Sequence, residues 1–199
     1  MLDVPGPHFA LSEILIVLAA IICTAKFGKV GLWLGAAGSL LFGVIAAIGA
    51  FRFSVGMIDA LADTHRAFSQ IGGAIAMSLI AGQLLLLRSS AGSLTSKAIY
   101  CLVLIGGAAV LFLPSATMPL FLIWLAVAIG AAALLPAHRP QTRITRALLI
   151  SIFLINIAAV RQSPTLGIGM SWHLFHILVA AWLLGLLWVI FGSRMGGHY

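Results

Sequence analysis

An apolar run near the end of the chain reads LFHILVAAWLLGLLWVIF, from Leu174 to Phe191, and contains no Asp, Glu, Lys or Arg. A helix that crosses a bilayer needs about 20 such residues. Apolar types make up 62% of the 199 residues and charged types only 8%, whereas soluble domains average roughly 25% charged residues. A soluble fold of this length could not bury so much apolar surface, so the sequence predicts an integral membrane protein.

Similar runs elsewhere predict an all-α bundle of seven transmembrane helices, forming a single membrane domain over residues 1–199. We place the helices near Phe9–Thr24, Val30–Phe51, Ala67–Leu87, Ala98–Leu113, Leu120–Leu135, Ala147–Val160 and Leu174–Phe191. Pro114 and Pro119 leave little loop between the fourth and fifth helices, so six helices with one long broken segment are the alternative. The two cysteines, Cys23 and Cys101, predict no disulfide framework.

Lysine and arginine divide unequally between the two sides of the predicted bundle. Eight fall on one side, namely Lys26, Lys29, Arg88, Lys97, Arg139, Arg143, Arg146 and Arg194, and three on the other, namely Arg52, Arg66 and Arg161. Because basic residues concentrate in cytoplasmic loops, the N-terminus is predicted outside and the C-terminus in the cytoplasm, in a bacterial inner membrane. The basic residues are confined to short loops, so membrane lipids rather than nucleic acid are the predicted partners.

Acidic and imidazole side chains collect on the predicted outer side. All four acids fall there with four of the six histidines, namely Asp3, Glu13, Asp59, Asp63, His8, His65, His173 and His176; His138 and His198 fall on the inner side. Ionisable groups in spanning segments cost free energy and mark functional sites by default. The alternative is that these histidines lie at the lipid–water interface beside Trp172, as aromatic belt residues do.

Three of the histidines predict a metal site, with zinc as the favoured ion. His173 and His176 are three residues apart and project to one helix face. His65 opens the third helix, which runs in the same direction as the seventh, so the three imidazoles meet at similar depth if those helices are neighbours. Catalytic zinc sites use three protein ligands and keep a fourth position for water.

Nearby acids and a serine supply the predicted catalytic groups. Asp59 or Asp63 would serve as a ligand, orient a histidine, or act as general base for a metal-bound water. Ser69, four residues after His65, shares its helix face and would hydrogen-bond that water or a substrate oxygen. Glu13, on the first helix, is another acid within reach.

The segment from Trp172 to Trp182, WHLFHILVAAW, resembles the seventh-helix signature of a known superfamily. That superfamily contains alkaline ceramidases, haemolysin-III proteins and progestin/adipoQ receptors, which are seven-helix intramembrane zinc proteins, several of them lipid amidases. Its pattern opens the seventh helix with H-x-x-x-H. His176 matches the second histidine of the pattern, while Trp172 stands in place of the first.

Two further positions resemble the superfamily pattern, which also has a Ser and a His on the second helix and an Asp on the third. Ser54 resembles the serine and Asp63 resembles the aspartate. The second helix of this chain carries no histidine, unless His65 from the third helix replaces it. The resemblance implies an intramembrane zinc protein related to lipid amidases. Together with the residues above, it predicts a zinc-dependent hydrolase of lipid amides or esters, in which Ser69 would position the oxyanion and an aspartate would carry the proton.

Other functions stay open at the level of sequence. His65 paired with His173 or His176 would ligate a b-type haem in an electron-transfer protein. Copper is the other redox alternative, because Met57, Met118 and Met170 lie on or near the same side. A small-molecule transporter ranks lower, since no inverted repeat and no charged residue at mid-depth are evident. A subunit that only packs against a partner is a further alternative.

Three small features predict contacts between helices. Gln83 and Asn156 are isolated polar residues within predicted helices, and each is expected to hydrogen-bond a neighbouring helix. Gly31 and Gly35 form a G-x-x-x-G pair of the kind that lets two helices approach closely.

Overall fold

The computed structural model describes residues 5–89, 92–137, 140–161 and 163–195. Every regular element in these residues is helical. Seven helices within them are long and apolar enough to cross a membrane. The protein is therefore an all-α, multi-pass integral membrane protein, and the alternative of six helices with one long broken segment is wrong.

The elements follow the order of the predicted spans, with the third and sixth spans broken by a π-helical turn. The first two are α1 (Phe9–Lys29) and α2 (Trp33–Ser54), and the third span joins α3 (Ala62–Ala67), a π-turn (Phe68–Gly72) and α4 (Gly73–Leu86). They are followed by α5 (Leu94–Phe112), a 3-10 turn (Pro114–Ala116), α6 (Thr117–Ala133), α7 (Pro140–Ile155), a second π-turn (Asn156–Val160) and α8 (Gly167–Met195).

Several helix ends follow directly from residue type. Ser93 caps α5, because its side chain accepts a hydrogen bond from the backbone N–H of Ser96 at 3.1 Å. Pro114 begins the short turn that separates α5 from α6. Gly31 has a φ of +73° in the turn between α1 and α2, a conformation that favours glycine. The predicted helix-packing pair is therefore wrong, since Gly31 lies outside both helices.

Six of the seven spans form a closed ring, because α1 packs on α2 and α8, α4 packs on α2 and α6, and α7 packs on α6 and α8. The remaining span, α5, packs mainly on the outside of α4. The third and seventh spans are therefore not the close neighbours that the sequence analysis required, since α1 and α2 stand between them on one side of the ring. The large apolar side chains of α5 face outward, with Phe112 81% exposed, as expected for a surface that meets lipid.

The two isolated polar residues connect helices as predicted. Gln83 on α4 accepts a hydrogen bond from the backbone N–H of Gly35 at 3.2 Å, which satisfies a donor in the first turn of α2. Asn156 donates to the backbone carbonyl of Phe175 on α8 at 2.8 Å. Both predictions are confirmed, and both bonds fix neighbouring helices of the ring.

The bundle has two chemically different ends. The end at which α1 begins, here called the histidine end, carries the described histidines and the arginines Arg52, Arg66 and Arg161. The opposite end, called the basic end, carries Lys26, Lys29, Arg88, Lys97, Arg143 and Arg146. Asp3, His138, Arg139 and His198 lie outside the described residues, as does the side chain of Arg194. Which end faces the cytoplasm stays a prediction from the distribution of charge.

Candidate functional site

A buried carboxylate forms the centre of the histidine end. Glu13, one turn into α1, is only 1% exposed. Its Oε1 lies 3.3 Å from Nε2 of His176 on α8 and 3.7 Å from Nε2 of His65 on α3. Acidic side chains are almost never fully buried unless they are paired. Three helices thus bring one acid and two imidazoles together, and these three residues form what we call the Glu13 cluster.

Burial also decides between the two interpretations of the histidines. His65 is 8% exposed and His176 is 7% exposed. Neither side chain therefore lies at the lipid–water interface, and for these two histidines the alternative of belt residues is wrong. Trp172 packs inward as well, with its ring centroid 4.4 Å from that of His176.

The hydrogen bonds of His176 fix the position of a proton. Nδ1 of His176 lies 2.7 Å from the backbone carbonyl oxygen of Trp172. A carbonyl only accepts, so Nδ1 carries hydrogen and donates. Nε2 then faces Oε1 of Glu13, where two bare lone pairs would repel each other. A proton on Nε2 of His176 or on the Glu13 carboxyl group removes this repulsion, so the pair is arranged to hold one proton.

Ser69 lies beside His65, as the four-residue spacing predicts. Its Oγ is 3.5 Å from Nε2 of His65, the same nitrogen that faces Glu13. In a Ser–His–acid triad the acid and the serine contact different ring nitrogens, so these three residues do not form one. The π-turn Phe68–Gly72 includes Ser69, and such turns occur frequently at functional sites.

A glycine on α2 makes room for the Glu13 cluster. A Cβ atom at Gly49 would lie 2.7 Å from Cδ of Glu13 and 2.8 Å from Nε2 of His65, closer than non-bonded carbon atoms approach. The sequence analysis missed Gly49, and no spacing or motif in the sequence distinguishes it from the other glycines of α2.

The Glu13 cluster lines a cavity of about 500 Å³, at the part of the cavity nearest the histidine end. This volume is within the range of roughly 300–1,000 Å³ typical of small-molecule sites. Ser69 also lines the cavity, and apolar side chains from α2, α6, α7 and α8 form its walls, among them Phe42, Phe121, Phe153 and Val179. The polar groups thus converge on a space that is otherwise suited to an apolar molecule.

His173 does not share the environment of His176. Its Nδ1 lies 3.1 Å from Oγ of Ser12, and that hydroxyl donates to the backbone carbonyl of Phe9 at 3.2 Å. His173 is therefore the donor in its bond to Ser12, and its ring packs 5.2 Å from that of Phe9, centroid to centroid. His173 is absent from the cavity lining. The two histidines predicted to act together therefore have different partners: His173 contacts Ser12, and His176 contacts Glu13.

The two predicted catalytic aspartates lie away from the Glu13 cluster. Asp59 is exposed in the loop between α2 and α3. The Asp63 side chain is 94% exposed and pairs with Arg66 at 3.5 Å. Neither lines the cavity, and neither does Ser54, which is exposed at the end of α2. The structure brings Ser69 to the site and places Glu13 where an aspartate was predicted.

The donor set matches zinc in type but not in arrangement. Two imidazole nitrogens and a carboxylate oxygen are ligands that zinc accepts, and the bond from His176 to a backbone carbonyl is common for metal-bound histidines. Within the described ranges, however, no three His, Cys, Asp or Glu side chains are arranged to hold a metal ion. We therefore derive no step through a metal.

The redox alternatives fit less well. A haem bound by His65 and His176 would need both Nε2 atoms to bind its iron, but each of these atoms lies within 4 Å of Oε1 of Glu13. Of the three methionines considered for copper, Met118 lines the cavity. Met57 and Met170 are exposed outside it.

The signal that could have identified Glu13 was present in the sequence. It is the one acid that falls inside a predicted helix, Phe9–Thr24, while Asp59 and Asp63 fall in a loop.

A search of protein-family models, curated proteins and solved structures finds no match to this chain.

Proposed function

We propose that this membrane protein hydrolyses an ester or amide bond of a lipid, with Glu13 and His176 moving the protons. One observation carries the proposal: a buried carboxylate lies 3.3 Å from an imidazole nitrogen, and both groups line a cavity whose walls are otherwise mainly apolar. Oε1 of Glu13 forms no hydrogen bond of ordinary geometry with the described residues. It is therefore free to accept a proton from a water molecule in the cavity.

The reaction needs a proton removed at one atom and supplied at another. The Glu13 carboxylate takes a proton from water, and the water oxygen forms a bond to the acyl carbon. The bond from that carbon to the ester oxygen or amide nitrogen breaks, and the leaving atom takes the proton from Nε2 of His176. The products are a carboxylic acid and an alcohol or amine. Proton return from Glu13 to His176 over 3.3 Å restores the pair.

Neighbouring groups support this division of roles. The hydrogen bond to the Trp172 carbonyl holds the His176 ring so that Nε2 faces Glu13. Ser69 lines the same cavity, and its hydroxyl group would donate to the oxygen that becomes negatively charged during attack. The likeness of the α8 segment 172–182 to the lipid amidases supports the same substrate class.

A matched pair of histidine variants tests the proposal. The full chain is reconstituted into vesicles, and the release of fatty acid from acyl-ester and N-acyl lipids is measured for His176→Gln and His173→Gln. We expect His176→Gln to lower the rate by about 10²–10⁴-fold, the usual effect of an acid–base group. His173→Gln should retain the rate within about threefold, because His173 lies outside the cavity lining. Equal losses in both variants would contradict the proposal.

Metal content of the same preparations tests the zinc prediction separately. One zinc per chain in the wild type that is lost in His176→Gln but kept in His173→Gln would show that the Glu13 cluster closes around a metal. Hydrolysis by a protein without stoichiometric metal would support the proton transfer between Glu13 and His176 as written.

A further inference from the structure

The three arginines of the histidine end all line the same cavity. Arg52 from α2, Arg66 from α3 and Arg161, which follows the last π-turn, all line the cavity above the Glu13 cluster. They are the only Lys or Arg residues that the described parts of the chain place at this end. Three different spans thus each contribute one guanidinium to the mouth of the same cavity.

Contacts with other residues occupy only part of each of these guanidinium groups. Arg52 uses its Nε to donate to the backbone carbonyl of Ile58 at 2.5 Å. The guanidinium of Arg161 lies 5.7 Å from the ring centroid of Phe175. Arg66 pairs with Asp63, but both side chains are largely exposed, and such pairs contribute little. Asp59 and Glu13 also lie at this end, but of the described carboxylates only Asp63 forms an ion pair with one of the three arginines.

Further into the bundle than the arginines, the cavity is lined mainly by apolar side chains. Its walls are formed mainly by aromatic and aliphatic side chains, including Phe42, Phe121 and Phe153. A ligand that matches both parts has an anionic headgroup next to an apolar chain. Arginine binds phosphate through two parallel hydrogen bonds, which makes it well suited to that group.

We propose that the cavity binds an anionic phospholipid, with its phosphate at Arg52, Arg66 and Arg161 and one acyl chain between the apolar walls. In such a lipid an ester carbonyl is a few bonds from the phosphate. It would therefore lie below the arginines, near Glu13 and His176. This inference names the substrate class of the proposed hydrolysis and rests on the same cavity.

Lipid binding to the full chain in detergent, measured by native mass spectrometry, tests this inference. The probes are phosphatidylglycerol and phosphatidylcholine with identical oleoyl chains. We expect the wild type to bind phosphatidylglycerol at least about tenfold more tightly than phosphatidylcholine, because each arginine near an anionic headgroup adds to the free energy of binding. The triple variant Arg52→Gln/Arg66→Gln/Arg161→Gln should lose this preference, and the corresponding triple lysine variant should retain most of it.

A matched triple variant at the basic end, Arg88→Gln/Lys97→Gln/Arg143→Gln, removes the same net charge and should keep the preference. An equal loss in both glutamine variants would overturn the inference, since net charge alone would then explain binding. Oleate binding as tight as that of phosphatidylglycerol would overturn the phospholipid assignment in favour of a fatty acid.

The two proposals fail in different ways. His176→Gln should keep the preference for phosphatidylglycerol over phosphatidylcholine, because that preference is assigned to the three arginines and not to the imidazole. Preserved binding without any hydrolysis would support the lipid site and contradict the hydrolase. Hydrolysis without a preference for phosphatidylglycerol would contradict the lipid site alone.

Discussion

Of the acidic side chains and the lysines and arginines in the described parts of the chain, each end of the bundle buries one, and the two have different partners. At the basic end, Arg146 on α7 is 2% exposed and donates from Nη1 to the backbone carbonyls of Leu135 and Pro136 at 3.3 and 2.8 Å. At the histidine end, Glu13 is 1% exposed and faces two imidazoles and an open cavity. Arg146 therefore holds the segment between α6 and α7 against α7 through its backbone bonds. The carboxylate of Glu13, in contrast, faces a cavity that could hold a bound molecule.

The difference shows that burial of a charge does not by itself indicate function. Buried charges are costly unless paired and hydrogen-bonded. Arg146 meets that need through the two bonds from Nη1, while its Nε has no partner among the described residues. Glu13 meets it with groups that exchange protons, next to a space that can hold a substrate. The two residues should therefore respond differently to substitution, one in activity and the other in stability.

The largest expected effect is on activity at Glu13. Glu13→Gln keeps the shape of the side chain but removes the proton acceptor, so lipid hydrolysis should fall by about 10²–10⁴-fold. The control is Asp63→Asn, which should keep the rate within about twofold because the carboxylate is exposed outside the cavity. A large loss in Asp63→Asn with little loss in Glu13→Gln would reverse the assignment and restore the aspartate of the sequence analysis.

Gly49 tests whether the close approach of α2 positions the acid. Gly49→Ala places a methyl group where the Glu13 carboxylate and the His65 ring lie, so both must shift. We expect a loss of about 1–3 kcal/mol in the free energy of unfolding and a rate lowered at least about tenfold by the displaced carboxylate. Thermal unfolding and hydrolysis are measured on the same preparation.

The matched control for Gly49 is Gly107→Ala on the peripheral helix α5, where an added Cβ meets nothing within 4 Å. This variant should be at least as stable as the wild type and fully active. Wild-type activity in Gly49→Ala would show that the site tolerates displacement of Glu13 and would weaken its assigned role.

Arg146 should show the smallest effect on activity. Arg146→Met fills similar volume but leaves the Leu135 and Pro136 carbonyls without their donor, which should cost about 2–3 kcal/mol in the free energy of unfolding. Hydrolysis per folded molecule should be unchanged, because the site lies at the other end of the bundle. A loss of activity without a loss of stability would contradict the distinction between the two ends.

Much of the fold could be predicted because each helix that crosses a bilayer needs a long, nearly uncharged apolar run in the sequence. Apolar runs of sufficient length identified all seven spans. The predicted bounds differ from the observed ones by a few residues in both directions: α1 continues to Lys29, α2 begins at Trp33 rather than Val30, and α8 begins at Gly167 rather than Leu174. His173 and His176 therefore lie inside α8 and not at its first turn.

The Glu13 cluster could be predicted only in part, because spacing along one helix does not reveal which helices are neighbours. The sequence analysis brought His65 and His176 together by assuming that the third and seventh spans pack side by side. In the structure they meet across α1, which contributes Glu13 between them. Gly49 could not be predicted, since its role depends on the approach of α2 to that side chain.

The proton between Glu13 and His176 can be observed directly by ¹⁵N NMR of the full chain in vesicles, with histidine labelled at both ring nitrogens. We predict that Nδ1 of His176 carries hydrogen, and that Glu13→Gln changes the Nε2 signal of His176 while leaving His173 unchanged. A bare Nδ1 on His176, or identical His176 signals in the wild type and Glu13→Gln, would contradict the proposed proton transfer.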